Sequence, residues 1–342
     1  MLSPGSRFNV ICGRNGSGKT SLLEAINMLC LARSFRSHRL ADVVRYGQPE
    51  LMVTGRLRHR NGETVQVGVR KTNRDTEIRF GGQPIYSTSD LARHLPVILL
   101  TPDSHVDLFS GPKERRRVLD MTLFHVKPGY LESWKRYLRC LKHRNQLLRQ
   151  RSGRRDIRSW DQQLVKAAVS VHKERIESAN QLQSILKALL SDGFGSGLEV
   201  RYDAGWDVSL GYEATLENSL DGDISLGYTR YGPHRADIVL LDNGTRIDRS
   251  YSRGQLKLAT ASLLMAEAHL VARETGVVPL LLVDDLVSDL DQKARARLIR
   301  MLGDSKAQVF MTTIDPAGVL DAPGLPETVL FHVEQGAVQL AA

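Results

Sequence analysis

A glycine-rich stretch near the start of the chain has the residue types that bind a nucleoside triphosphate. The segment GRNGSGKTS matches G-x-x-x-x-G-K-[ST] at every position. In such a loop the backbone amides surround the β-phosphate, a lysine reaches the β and γ oxygens, and a hydroxyl binds Mg²⁺. Lys19 and Thr20 are the expected lysine and hydroxyl. The predicted nucleotide-binding residues are Gly13, Arg14, Asn15, Gly16, Ser17, Gly18, Lys19, Thr20 and Ser21.

Two adjacent carboxylates supply the acidic partner that a phosphate loop requires. The apolar stretch PLLLVDD ends in Asp284 and Asp285. Phosphoryl transfer needs a carboxylate near the metal and a group that orients the attacking nucleophile. We therefore expect Asp284 to hold Mg²⁺ through water and Asp285 to be the catalytic base. The alternative is that the two aspartates only cap the helix that follows.

The stretch YSRGQLKLA, from Tyr251 to Ala259, has the composition of a helix start that could bind an anion. Apolar residues recur at helical spacing after it, so Ser252 to Gln255 are predicted to begin a buried helix. The amides of a first helical turn and the positive end of the helix dipole favour phosphate. The alternative is an ordinary serine cap with a tight turn, which these nine residues alone favour.

The elements that must position these groups follow from the hydrophobic pattern. An apolar strand, RFNVIC, precedes the glycine-rich loop and a helical pattern, TSLLEAINMLCLA, follows it, as a phosphate loop requires. Residues 51–80 alternate as an antiparallel meander does. The continuous apolar runs at 279–283 and 307–311 need a parallel sheet covered on both faces. The predicted fold class is therefore α/β, with a mixed sheet and an antiparallel meander.

A second lobe is predicted from two long amphipathic patterns at 130–150 and 157–191, which the polar stretch RQRSGRRD separates. This arrangement predicts a helical hairpin. We expect a discontinuous lobe of residues 1–127 and 225–342, with residues 128–224 inserted as a helical lobe.

The bulk composition narrows the class of protein. The chain has 342 residues, enough for two domains, and a net charge of +9, which favours a polyanionic partner. Its three cysteines are isolated, so neither a disulfide framework nor a zinc site is expected. No apolar run reaches the length of a membrane span, and the amino terminus lacks the apolar core of a signal peptide. These features predict a cytoplasmic protein without a membrane partner.

The positive charge concentrates between Lys127 and Arg158, where Glu132 and Asp156 are the only acids. Helical spacing places Lys135, Arg139 and Lys142 on one face, with Arg149 two turns further along. A surface of this kind can follow a phosphate backbone and gives affinity without sequence preference. A solvated helix face is the alternative. The predicted DNA contacts are Lys135, Arg136, Arg139, Lys142, Arg149, Arg154 and Arg155.

The order of the motifs resembles that of the ABC-type ATPases. A P-loop is followed by a Ser-x-Gly-Gln helix start, an apolar strand with two acids, SDLD and FMTT. In that family the Ser-Gly-Gly-Gln element contacts the γ-phosphate that a second subunit holds. The resemblance implies an ATP-dependent homodimer with ATP and Mg²⁺ as cofactors. The residues implied to contact the partner's nucleotide are Ser252, Arg253, Gly254, Gln255 and Asp289.

Within that superfamily the chain resembles the RecF family of bacterial recombination and gap-repair ATPases. The motifs that carry the resemblance are RSFRS, LLTPD followed by GPKERRRVLD, YGPHRAD, YSRGQLKL and LLVDDLVSDLD. The resemblance implies binding to duplex DNA near single-strand gaps, with RecR and RecO as partners that help to load RecA. It implies weak ATP hydrolysis that acts as a timer. The alternatives are a motor or transporter subunit and a truncated, inactive RecF paralogue.

The sequence departs from these families in three places. RecF chains normally begin with a strand and an FRN element before the Pro-Gly pair, and the resemblance therefore predicts that one sheet edge is lost here. No Mg²⁺-sensing Gln follows PVILLTP, so Thr101 or Asp103 is the expected substitute. Thr312 and Thr313 replace the switch His of transporters, which implies slow hydrolysis.

Two further motifs have no assigned chemistry. The arginines of GPKERRRVLD, 115–117, could contact phosphate or hold a strand-to-helix junction. His234 and Arg235 of YGPHRAD are expected to be structural or interfacial.

Overall fold

A computed structural model describes residues 2–37, 39–58, 62–190, 194–322 and 324–341, with the backbone alone at 288 and 289. The strands among these residues are β1 (Phe8–Cys12), β2 (Glu50–Arg58), β3 (Thr64–Thr72), β4 (Thr76–Phe80), β5 (Gln83–Ile85), β6 (Val97–Leu100), β7 (Leu198–Asp203), β8 (Asp237–Asp242), β9 (Thr245–Arg246), β10 (Leu280–Val283), β11 (Val309–Thr313), β12 (Thr328–Glu334) and β13 (Ala337–Leu340). The α-helices are α1 (Lys19–Leu31), α2 (Thr88–His94), α3 (Ser104–Phe109), α4 (Pro112–Val126), α5 (Tyr130–Arg149), α6 (Arg154–Arg158), α7 (Asp161–Leu189), α8 (Tyr212–Leu226), α9 (Ile247–Ser250), α10 (Arg253–Thr275), α11 (Gln292–Asp304) and α12 (Ala317–Leu320).

Packing divides the chain into two compact units. The first unit joins Met1–Pro102 to Val277–Ala342, and the second unit is Asp103–Gly276. By packing, therefore, residues 103–127 and 225–276 group with the long helices. The lobe boundaries expected from the sequence, at 127/128 and 224/225, lie inside the second unit and stay a prediction.

The first unit contains a six-stranded sheet in the order β13-β12-β1-β11-β10-β6. All neighbouring pairs are parallel except β12 with β13, which forms an antiparallel edge hairpin. Every residue of β1 is buried. Parallel strands present their carboxyl ends at one edge of a sheet, and ligands of open α/β folds bind outside that edge. The loop after β1 and the residues after β10 and β11 therefore meet at one edge.

A four-stranded antiparallel sheet, β2-β3-β4-β5, completes the first unit. Val67, Val69 and Ile78 point to its buried face and share a hydrophobic cluster with Met28 of α1 and Leu91 of α2. The alternation of buried and exposed residues is the one that the sequence predicts for residues 51–80. Together the two sheets confirm the predicted α/β class, with a mixed sheet and an antiparallel meander.

The second unit is built from the long helices α5, α7 and α10, with a three-stranded sheet in the order β7-β8-β9. Both long helices predicted before residue 191 are present as α5 and α7. One hydrophobic cluster brings α4, α7 and α10 onto the β7-β8-β9 sheet, and another joins α5, α7 and α8. These clusters explain why α10 belongs to this unit although the P-loop and the Asp284 strand belong to the first.

Candidate functional site

The glycine-rich loop follows β1 in a conformation that only glycine adopts without strain. Gly16 and Gly18 have φ angles of 76° and 111°, in the left-handed region. At Gly13 the constraint is space, because a Cβ there would lie 2.4 Å from the carbonyl oxygen of Val333. The glycines predicted for the phosphate loop therefore permit a tight turn at this edge of the sheet.

Lys19 brings a buried positive charge into the loop. Its Nζ donates hydrogen bonds to the carbonyl oxygens of Gly13 and Arg14, at 2.8 and 2.9 Å, and the side chain is only 7% exposed. Ser17 Oγ is also buried and has no hydrogen-bond partner among the described residues. An ammonium group and the amides at a helix N-terminus form an arrangement that suits a phosphate.

Thr20 and Asp284, which lie far apart in the sequence, meet at the carboxyl edge of the sheet. Thr20 Oγ1 donates a hydrogen bond to Asp284 Oδ1 at 3.0 Å. Thr312 Oγ1 donates to the same carboxylate oxygen at 2.7 Å. Hydroxyl and carboxylate oxygens are the hard ligands that Mg²⁺ prefers, usually with water and substrate phosphates. The donor set therefore fits the predicted magnesium site.

In the described part of the chain, no group of three or more His, Cys, Asp or Glu side chains lies close enough together to hold an ion. The candidate Mg²⁺ site therefore depends on Thr20, Asp284, water and the phosphates of a bound nucleotide.

Asp285 follows β10 in an unusual backbone conformation, with a φ of 42°. Non-glycine residues in the left-handed region are uncommon and occur often at functional sites. Its backbone N–H donates to Thr312 Oγ1 at 2.9 Å. One threonine hydroxyl therefore connects the Asp284 carboxylate to the backbone of Asp285.

Thr312 is the residue at this site whose contacts the sequence did not reveal. The sequence singled it out only as a replacement for the switch His. The register of β10 with β11 is the signal that would have predicted its contact with Asp284. Met311 pairs with Val283, and this pairing puts Thr312 next to Asp284.

The β12–β13 hairpin supports the phosphate loop from one side. Gly336, in its turn, donates a backbone hydrogen bond to the carbonyl oxygen of Ser17 at 2.9 Å. The carbonyl of Val333, on the same hairpin, is the group that a side chain at position 13 would strike. No motif marks this hairpin in the sequence, because the contacts come from backbone atoms more than 300 residues away.

The predicted helix start at Ser252 is confirmed. Ser252 Oγ accepts a hydrogen bond from the Gln255 amide, and the Gln255 side chain accepts one from the Ser252 amide, which makes a capping box. Ser252, Arg253 and Gln255 are exposed, and a Cβ on Gly254 would meet no atom within 4 Å. The turn is thus a real helix cap whose outer surface is accessible. The predicted contact at Asp289 involves a side chain outside the described set.

The predicted basic face on α5 is present. The buried side of the helix is formed by Tyr137, Cys140, Leu141 and Leu148. The predicted DNA-contacting cations on this helix lie on the opposite side and are exposed: Lys135, Arg136, Arg139, Lys142 and Arg149. Arg154 and Arg155 on α6 are exposed as well. Lys135 pairs with Glu132 and Arg154 with Asp221 at the surface. Such exposed pairs contribute little free energy, so these cations can exchange partners.

Arg144 belongs to the same basic segment but not to its surface. Its side chain is fully buried. It donates to Asp161 Oδ1 at 2.8 Å, to Asp223 Oδ2 at 2.9 Å and to Thr229 Oγ1 at 2.8 Å. The count of basic residues in the sequence overstated the surface charge here, because the compensating Asp223 is 79 residues away.

Two of the three arginines of GPKERRRVLD contact the segment around Asp237. Arg115 is buried and makes a bidentate ion pair with Asp237, with both contacts at 2.8 Å. Arg116 donates to the carbonyl oxygen of Ala236. For Arg115, these contacts therefore favour the structural alternative, in which it holds the strand-to-helix junction.

His234 of YGPHRAD is half-buried, and both of its ring nitrogens are hydrogen-bonded. Its Nε2–H donates to the carbonyl oxygen of Thr229 at 3.0 Å, and its Nδ1 accepts from the Tyr137 hydroxyl at 2.6 Å. Burial lowers the pKa of His234 to about 4. The neighbouring Arg235 guanidinium stacks over the ring of Tyr228. The contacts of His234 favour a structural role, whereas the exposed Arg235 fits a structural and an interfacial role alike.

Among the described residues, no helix has the length and apolarity to cross a membrane.

Comparisons with known proteins identify the family of this chain. The family model described as RecF/RecN/SMC N terminal domain matches residues 1–336. The DNA replication and repair protein RecF of Shewanella baltica is 39% identical over 340 residues, which cover 99% of this chain and 94% of the relative. A solved structure of the recombination mediator protein RecF-ATP in the RecFOR pathway superposes with a TM-score of 0.83 and 25% identity, covering 100% of this chain and 93% of that chain. An SMC head bound to the C-winged helix domain of ScpA has a TM-score of 0.56 and 14% identity over 99% of this chain and 91% of that chain, and shares the fold alone.

Proposed function

The chain belongs to the RecF family, and from that membership we propose that it is an ATP-dependent DNA-binding protein of recombinational gap repair and replication restart. The observation that carries the proposal is the meeting of Thr20, Asp284 and Thr312 beside the buried ammonium of Lys19. This arrangement has the parts that nucleoside triphosphate binding needs: loop amides, a lysine and a hard-oxygen metal site. The name of the Shewanella relative and the ATP in the similar solved structure support the same reading.

The chain's own residues perform the nucleotide chemistry. Lys19 exchanges the carbonyls of Gly13 and Arg14 for phosphate oxygens. Thr20 and Asp284 hold Mg²⁺, which when bound neutralises charge on the β and γ oxygens. Asp285 orients the attacking water and accepts its proton.

Slow turnover is proposed, and the residue type at position 312 supports it. Its hydroxyl donates to the Asp284 carboxylate and accepts from the Asp285 backbone amide, so it ties the Asp284 side chain to the backbone of Asp285. A threonine at this position cannot donate a proton in the way that a protonated histidine does. Hydrolysis therefore resets an assembly and is not a source of work.

Dimerisation uses the start of α10. Ser252, Arg253, Gly254 and Gln255 present an exposed helix N-terminus that can take up the γ-phosphate held by a second copy. Asp289 is proposed to join them. ATP then lies between two chains, and its binding free energy is coupled to a change of assembly state.

Duplex DNA is the proposed polyanion. The exposed cations of α5 and α6 give contacts to phosphates, without contacts to bases that would read sequence. The proposed binding position is duplex DNA next to a single-strand gap. RecR and RecO are the proposed partners through which the protein helps to load RecA.

DNA binding by the purified chain tests the proposal. Fluorescence anisotropy with a labelled gapped duplex should show binding that depends on ATP and weakens with salt, and the same DNA should stimulate ATP hydrolysis. The Lys19→Ala variant should lose the ATP dependence, whereas Lys187→Ala, an exposed lysine on α7, should behave as wild type. Equal affinity with and without ATP, or hydrolysis that DNA does not change, would favour a motor or transporter subunit instead.

Mixing two inactive variants tests the composite site. The Lys19→Ala variant cannot hold ATP in its own phosphate loop. The Gly254→Asp variant keeps its helix but places a carboxylate where the γ-phosphate of the partner's ATP would bind. A mixed dimer contains one intact site, made by the loop of one chain and the helix start of the other. ATPase activity should return on mixing, whereas two variants that stay inactive together would show that the sites do not combine.

A further inference from the structure

A cavity of about 610 Å³ lies in the second unit, apart from the proposed nucleotide contacts. Helix α4 supplies Lys113, Arg116 and Met121 to its lining, and α5 supplies Leu131 and Trp134. One part of the wall is thus apolar and another part carries cations. Cavities of 300–1,000 Å³ with this mixture typically bind ligands that have an apolar body and a few polar groups.

The two carboxylates in the lining are already neutralised by contacts inside the protein. Asp120 accepts hydrogen bonds from Arg175, at 2.9 and 3.0 Å, and from the Tyr130 hydroxyl at 2.5 Å. Glu114 pairs with Arg117 at 3.6 Å. The charge that remains for a ligand is therefore positive.

Arg116 is the cation best placed to meet that ligand. It is half-buried, and its one hydrogen bond among the described residues goes to the Ala236 carbonyl. Burial lowers the pKa of the Arg116 guanidinium, and the nearby Arg175 adds to the effect. A carboxylate that meets Arg116 in this half-buried position would form a charge-assisted hydrogen bond, which is stronger than one between neutral groups.

The aromatic groups of the cavity do not offer an open stacking surface. The Trp134 indole stacks with Tyr137 at 5.4 Å between ring centroids, and the Arg175 guanidinium lies 4.5 Å from its centroid. Phe124 is 8% exposed. Binding of unpaired bases uses exposed aromatic faces. These side chains therefore favour an aliphatic or aromatic side chain of a protein over a nucleobase.

We infer that this cavity binds a short acidic segment of a partner protein. An apolar side chain of the segment enters between Met121 and Leu131, and carboxylates on either side of it pair with Arg116 and Lys113. The interaction is distinct from ATP and DNA binding. It uses the charge complementarity and buried anchor that are typical of protein interfaces.

Peptide binding to the full-length protein tests the inference. The probes are fluorescein-labelled eight-residue peptides in which aspartates flank one central Leu, Ile, Met or Phe. Matched peptides carry serine at the centre, or lysine in place of aspartate. At least one acidic peptide with an apolar centre should bind at least about tenfold more tightly than both of its matched controls, which corresponds to one charge-assisted hydrogen bond.

Variants of the cavity locate the binding. Arg116→Gln and Met121→Glu should each weaken binding of that peptide about tenfold. Lys187→Gln, an exposed change on α7, should leave the affinity within about twofold, as for a remote surface site. A photo-reactive benzophenone at the peptide centre should crosslink to α4 or α5. Tryptophan fluorescence of each variant verifies that the second unit is folded, and Met121→Glu serves alone if Arg116→Gln does not fold.

Three results would overturn the inference. One is that no acidic peptide binds better than its serine- or lysine-containing control. Another is that binding persists unchanged in both cavity variants. The last is displacement of the bound peptide by a ten-nucleotide oligothymidylate whose own affinity falls in Met121→Glu, which would make the cavity a nucleic-acid site.

Discussion

The buried guanidinium of Arg144 offers the sharpest test of the division between structural and DNA-facing cations. Arg144→Met removes a charge that bonds Asp161, Asp223 and Thr229, while it keeps an apolar stem of similar length. Asp223 is itself fully buried and retains contacts to Arg230, at 3.1 Å. One partner of a buried ionic network is therefore left incompletely paired.

The expected destabilisation is large. Removal of one partner from a buried ion pair costs about 3–5 kcal/mol, because the other charge stays desolvated. For a unit of this size, 1 kcal/mol corresponds to about 2–4 °C in Tm, so the melting temperature should fall by roughly 6–20 °C. The matched variant Lys142→Met, on the exposed side of the same helix, should stay within about 0.5 kcal/mol of wild type.

Tryptophan fluorescence is the appropriate assay, since Trp134, Trp160 and Trp206 all lie in the second unit. Urea titrations followed at these residues report on that unit alone. In a DNA-binding assay, by contrast, Lys142→Met should change the salt dependence of the affinity and Arg144→Met should not. Lys142→Met should lower the slope of log affinity against log salt by about 0.9, while folded Arg144→Met should leave the slope unchanged.

Two outcomes would refute this reasoning. Arg144→Met could unfold at the same urea concentration as wild type, which would mean that the network contributes nothing. Alternatively, it could reduce the salt slope as much as Lys142→Met, which would place its charge at the DNA surface.

Three other predictions concern the phosphate loop, the catalytic base and a buried acid. Gly13→Ala should weaken ATP binding, measured by calorimetry, because overpacking against Val333 costs about 1–3 kcal/mol. The control Gly111→Ala, where the added methyl group meets open space, should have no effect. Equal affinities of the two variants for ATP would contradict the close contact at Gly13. Asp285→Asn should bind ATP normally and hydrolyse it at least about a hundredfold more slowly in a phosphate-release assay, and a normal rate would remove Asp285 from its role as base. Burial raises the pKa of Glu267 to about 8 from an ordinary 4.5. Between these pH values the folded protein keeps a proton on Glu267 that the unfolded chain loses, so the stability of the wild type should fall as the pH rises from 4.5 to 8. Urea titrations of Glu267→Gln should lack this fall. Parallel pH profiles of the two proteins would show that Glu267 is charged in the folded state.

The geometry of the candidate phosphate loop was predictable because its residues are adjacent in the sequence. The spacing of Gly13, Gly18 and Lys19 places amides and an ammonium group around one point, whatever the rest of the fold does. Asp284 and Asp285 were predictable because an apolar strand that ends in acids has few other uses beside a phosphate loop. The cap at Ser252 followed from short-range hydrogen bonding between residues three apart.

Contacts between distant segments could not be predicted in this way. No residue near Arg144 in the sequence indicates that its side chain pairs with Asp223 inside the second unit. From the sequence alone, the charge of Arg144 therefore could not be distinguished from that of Lys142. The bond of Gly336 to the loop depends on the pairing of β1 with β12, which a single sequence does not encode as a motif. The sequence could show the residue types but not their burial.

Sedimentation velocity of Asp285→Asn with and without ATP tests the central claim, that ATP completes a site between two copies of this chain. The slow variant holds ATP during the run, so we predict a monomer without nucleotide and a dimer with ATP and Mg²⁺. Adding Gly254→Asp should leave the affinity for ATP and the helix intact, because an acid at a helix N-terminus is favourable and a side chain there meets no other atom. That double variant should remain a monomer with ATP bound. A dimer that forms equally well with Gly254→Asp, or a protein that remains a monomer with ATP bound in both variants, would contradict the claim.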